Sequence, residues 1–79
     1  MVNPDEQRKE EIESIKRERK AFERRQAAWI AVHRQFIPFG NGRPTSASME
    51  EFDAAEKEWR GACAVMERIA EEIRSGKRR

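Results

Sequence analysis

From Pro4 to Phe36 the chain has neither a glycine nor an internal proline, and large apolar residues return every seven positions, at Ile15, Phe22, Trp29 and Phe36. A seven-residue apolar repeat among Glu, Lys, Arg, Gln and Ala permits little besides a long helix with one apolar seam. A second such stretch runs from Met49 to about Ser75. There Phe52, Trp59, Met66 and Ile73 form one row, and Ala55, Ala62 and Ile69 the row three residues on. Between the two stretches, residues 37–47 hold two prolines, two glycines and an Asn-Gly pair, which end one helix and turn the chain.

The ends carry their own signals. Asn3 is placed to cap the first helix, with Pro4 at its first position and Asp5 and Glu6 at the positive end of its dipole. Ser48 followed by Glu51 reads as a capping box that opens the second helix, and Gly76 as its stop. Asp5, Lys9, Glu13 and Arg17 alternate in sign every four residues along one exposed face. The chain therefore predicts one domain over residues 1–79: a helix over about 4–36, a loop over about 37–48, a helix over about 49–75 and a basic tail over 76–79.

Folding the second helix back on the first suggests a register in which Phe36 faces Phe52, Trp29 faces Trp59, Phe22 faces Met66 and Ile15 faces Ile73. That register lays the basic segment Lys16–Arg25 beside Cys63–Glu72 and leaves residues 5–12 overhanging the end of the second helix. Charge supports an antiparallel pairing. Residues 1–36 carry nine Lys/Arg against seven Asp/Glu, whereas residues 49–73 carry three against eight.

Two segments, Ala27–Val32 and Gly61–Met66, are apolar all round the helix and call for cover on more than one side. Gly61, costly inside a helix, suggests close approach by a ring or another backbone. The expected fold is all-α: two long antiparallel helices in a coiled-coil-like helical hairpin, dimerising into a four-helix bundle. Ile15, Phe22, Trp29, Phe36, Phe52, Trp59, Ala62, Met66, Ile69 and Ile73 would supply the core and the self-association surface.

Composition narrows the function classes. Charged residues make up 41% of the chain, yet the apolar ones fall in stripes, unlike a disordered sequence. One cysteine cannot form a disulfide within the chain. The longest apolar run, Ala27–Val32, is far short of the ~20 residues that span a bilayer. No apolar signal core follows the charged start, so a cytoplasmic location is expected, with no membrane partner. His33 and Cys63 fall several turns apart in the suggested register, and no metal-ligand spacing occurs. Glu pairs at 10–11, 50–51 and 71–72 point about 100° apart and read as solvated faces. Gly40-Asn41-Gly42-Arg43-Pro44 lacks the lysine and hydroxyl of a phosphate loop.

No catalytic, cofactor, metal or small-molecule site is expected. The leading expectation is a non-enzymatic protein–protein interaction module, of regulator, assembly-factor or inhibitor type, that pairs with itself and with another protein. Its partner-facing candidates are the Asp5–Ile12 segment, Arg24, Arg25, Phe39, Arg43, Lys77, Arg78 and Arg79. The alternative is a nucleic-acid-binding accessory protein using the basic Lys16–Arg25 face and the C-terminal tail.

Overall fold

Helix α1 spans Pro4–Gln35 and helix α2 spans Ser46–Arg74, and the two pack against each other as a helical hairpin. The computed structural model describes residues 3–36 and 42–78. The hairpin is a rod of 60 × 19 × 16 Å. Among the described residues, no helix is long and apolar enough to cross a membrane.

The start of α1 follows its sequence signals. Asn3 Oδ1 accepts a hydrogen bond from the Asp5 amide at 2.8 Å, Pro4 opens the helix where no N–H is needed, and Asp5 and Glu6 lie in the first turn. The far end of α2 does likewise. Gly76 adopts φ +79, and the amides of Gly76 and Lys77 bond back to the carbonyls of Ile73 and Glu72 at 3.2 and 2.8 Å, a complete Schellman closure.

The start of α2 differs from the capping-box expectation. Thr45, not Ser48, is the N-cap: its Oγ1 accepts from the Ser48 amide at 3.1 Å. The helix thus begins three residues earlier, with Ser48 inside its first turn. Gln35 accounts for the difference. Its Oε1 accepts from the Thr45 amide at 2.8 Å and its Nε2 donates to Ser48 Oγ at 2.7 Å. The last residue of α1 therefore holds the first turn of α2 directly, and Glu51 is left free to pair with Arg24.

The seam between the helices is built mostly from small side chains on α1 and from a mix of small and large ones on α2. On α1 the buried residues are Ser14, Ala21, Ala28 and Val32; on α2 they are Phe52, Ala55, Ala62 and Ile69. Ala55, with no exposed surface, forms the tightest core cluster with Ala28, Val32 and Phe52. Three of the four buried residues of α1 belong to the heptad row Gln7, Ser14, Ala21, Ala28 and Gln35, the one row of that helix without a charge. Alanine and serine let two helix backbones approach closely. The large side chains one position later are pushed onto a flank.

The register also differs from the expected one. Trp29 packs on Phe52 with ring centroids 5.0 Å apart, and Phe22 on Trp59 at 6.2 Å. Each residue of α1 meets α2 one heptad earlier than expected. Residues 5–12 consequently do not overhang: Glu10 pairs with Arg68 at 3.4 Å. A heptad repeat maps onto itself under a seven-residue shift, so apolar layering alone leaves these registers equivalent. The contacts of Gln35 at one end and Glu10 at the other select between them.

Candidate interaction surface

The two long flanks of the rod differ in chemistry. One is a ladder of ion pairs. Arg24 reaches Glu51 at 2.9 Å and also bonds Glu58, while Arg68 bridges Glu10 and Glu72. The Glu51 and Glu58 carboxylates push the Arg24 guanidinium pKa up further. The basic middle of α1 thus meets acidic residues of α2, but at Glu51, Glu56 and Glu58 rather than in the Cys63–Glu72 segment. Gly61 lies on this side as well. The nearest side chain to a Cβ placed there is the Arg17 guanidinium at 3.7 Å, ordinary contact. The close ring or backbone that its sequence position suggested is not what surrounds it.

The opposite flank is an apolar stripe. Ile15, Phe22, Trp29 and Phe36 from α1 lie between 42% and 56% exposed. Along the same flank, α2 supplies buried Phe52, half-buried Trp59 and Met66, and exposed Ile73. Near the chain ends the stripe opens into a groove lined by Ile12, Ile15, Met66, Ile69 and Ile73, with Arg8 and Arg78 at its margin. Nearer the loop, Arg25 lies over the Phe52 and Trp59 rings, 5.5 and 5.1 Å from their centroids, and reaches Glu56 at 3.5 Å. Arg25 Nε and Trp59 Nε1 are both buried without a hydrogen-bond partner within the described residues. For Arg25, the faces of the two rings compensate part of that cost through cation–π attraction.

Ten residues were expected to serve as core and self-association surface. Within one chain, Phe52, Ala62 and Ile69 are buried, Trp59 and Met66 are half-buried, and Ile15, Phe22, Trp29, Phe36 and Ile73 are exposed. The alanine row of α1, which a search for large side chains passes over, carries the intrachain seam. Its signal in the sequence is a lack of charge in a chain that is 41% charged.

The basic candidates have separate fates. Arg24 and Arg25 are held in intrachain contacts, whereas Arg43 and Lys77 are exposed. Arg78 is turned inward, its side chain only 5% exposed. It donates from Nε to Glu72 at 2.8 Å, bonds Glu10, lies 3.7 Å from Glu11, and reaches the Gln7 carbonyl. Phe39 and Arg79 lie outside the described residues.

Cys63 is half-buried, and burial pushes its thiol pKa up, with Glu18 and Glu67 adding to the effect. A raised pKa keeps the sulfur protonated and unreactive near neutrality. His33 presents its ring to the edge of Trp29, with centroids 4.3 Å apart, and its Nδ1 lies 3.2 Å from the Trp29 carbonyl. Among the described residues, no group of three or more His, Cys, Asp and Glu side chains is arranged to hold a metal ion. No family model, curated protein or solved structure matches the chain.

Proposed function

We propose that the chain is a non-enzymatic protein–protein interaction module that dimerises into a four-helix bundle and presents its charged outer faces to another protein. One observation carries this reading: α1 turns Ser14, Ala21 and Ala28 toward α2 and leaves its large apolar residues Ile15, Phe22, Trp29 and Phe36 exposed along one outer flank. A contiguous apolar stripe rimmed by polar residues is the usual mark of an interaction site. In a four-helix bundle the large side chains fill the centre, and a single hairpin of this design supplies half of that centre. The role would be that of a regulator, assembly factor or inhibitor, working in the cytoplasm, where the lone thiol of Cys63 stays reduced. The nucleic-acid reading has less behind it, because Arg24 and Arg78 already sit on carboxylates.

Sedimentation equilibrium tests the proposal. The wild-type chain of 9.3 kDa is expected at the mass of two copies. Phe22→Lys, on the exposed flank, is expected at the mass of one with its helical circular dichroism retained. A wild-type chain that stays monomeric across the micromolar range overturns the self-association.

A further inference from the structure

Resting on the reading that the stripe seats a second copy, we infer how the copies are oriented. The two hairpins meet about a two-fold axis parallel to the rod, with both loops at one end and α1 of each copy against α2 of the other. The stripe runs from Phe36 to Ile73 along a rod 60 Å long, so a second rod of the same length and the same apolar spacing covers it from end to end.

Apolar layering does not choose the orientation. With loops together, Phe22 comes level with Trp59 of the second copy and Trp29 with its Phe52, repeating the layers already formed within one hairpin. With loops apart, Phe22 stacks on Phe22 and Trp59 on Trp59. The seven-residue spacing satisfies both.

Charge separates them. Loops apart would set α2 against α2. Glu51, Glu58 and Glu72 are taken up on the ion-pair flank, and the charges that border Phe52, Trp59 and Met66 along the stripe are Asp53, Glu56, Arg60 and Glu67, three acidic against one basic. Stacking Trp59 on Trp59 would also bring Arg60 beside its own copy and Asp53 toward Glu67. Loops together set those residues against α1, where Lys16, Arg19 and Glu23 border Ile15 and Phe22 on the outer side, two basic against one acidic. Arg25 then comes level with Glu56 of the second copy. Within its own chain, Arg25 is 29% exposed at its side chain and has one carboxylate at 3.5 Å, which leaves its guanidinium able to take another. Like-charge contact across an interface is costly and sets orientation more than affinity.

The test labels Arg43→Cys in a Cys63→Ala background with a nitroxide and measures the spin–spin distance, with sedimentation run on the same sample. Helix spacings of 8–10 Å across a four-helix bundle put the labels roughly 15–30 Å apart when the loops share one end. Loops at opposite ends of the rod put them above about 45 Å, given 1.5 Å rise per residue. The short distance in a sample with the mass of two copies is the expected result. The long distance at that mass overturns the orientation and leaves the self-association standing. The mass of one copy overturns the self-association and the orientation with it, and a mass above two copies overturns the two-hairpin bundle and its orientation.

Discussion

Arg78 Nε lies 2.8 Å from Glu72 Oε1, which ties the tail beyond Gly76 to the last turns of α2. The same guanidinium bonds Glu10 and lies 3.7 Å from Glu11, so one side chain joins the C-terminal tail to the second and third turns of α1. Arginine suits the position, because its planar fork can serve several carboxylates at once. The groove at that end of the stripe has Arg78 on its margin.

This clamp has a pH signature. The hydrogen bond from Arg78 is the main reason that the Glu10 and Glu72 carboxyls are held below their ordinary value of 4.5. Because the folded pKa is depressed, their stabilisation is present in full above about pH 4.5 and is lost as pH falls through the folded values. Acidification is therefore expected to speed amide hydrogen exchange in residues 7–12 and 70–76, after correction for intrinsic rates, before the middle of the rod responds. In Arg78→Ala those segments should already exchange faster at neutral pH, and the acid-dependent step should shrink to the part that Arg68, which pairs with the same two carboxylates, still supplies. An unchanged step in that variant would remove Arg78 as its cause.

Ala55 tests the tightness of the seam. It is wholly buried between Ala28, Val32 and Phe52, so Ala55→Leu has nowhere to place three more carbons. Overpacking of this kind costs about 1–3 kcal/mol. For a chain this size that lowers Tm by ~4–8 °C per kcal/mol. Ala54→Leu, on the exposed side of the same turn, should shift stability by no more than about 0.5 kcal/mol. Equal effects from the two variants would mean that the small-residue row is not the seam.

Gly61 is open to improvement. A methyl group there meets only the tip of Arg17 at 3.7 Å, and the position is in the middle of α2. Gly61→Ala should stabilise the hairpin by about 0.5–1 kcal/mol by removing the glycine entropy cost. Thermal melts compared at equal concentration read the change. A loss of stability would show that another backbone approaches this position in the assembled protein.

Thr45 and Ser48 distinguish the observed start of α2 from a capping box at Ser48. Thr45→Ala removes the acceptor for the Ser48 amide and should cost about 0.5–2 kcal/mol. Ser48→Ala gives up the hydrogen bond from Gln35, worth on the order of 1 kcal/mol, and leaves the helix N-terminus capped. Helix-specific exchange should show fraying at residues 46–49 in the first variant and not in the second.

Local chemistry alone determined both helices, the break between them, the Asn3 cap and the Gly76 stop. Each depends on residues within a few positions of one another, and propensity and capping act at that range. The antiparallel pairing of a basic with an acidic segment was legible too. Tertiary structure decided two further things. The first is the side of α1 that meets α2. Neighbouring rows on a helix differ by only about 100°, and the sequence shows large apolar residues on one row and uncharged small ones on the row before it. Close backbone approach favours the alanine row and leaves Phe22 and Trp29 on the flank. The second is the register, to which a seven-residue repeat is blind. It is selected by Gln35 at one end of the rod and by the Glu10 contacts with Arg68 and Arg78 at the other, whose partners lie 10 to 68 residues away in sequence. Such polar contacts between distant residues form only once the chain has folded back, so no local pattern announces them.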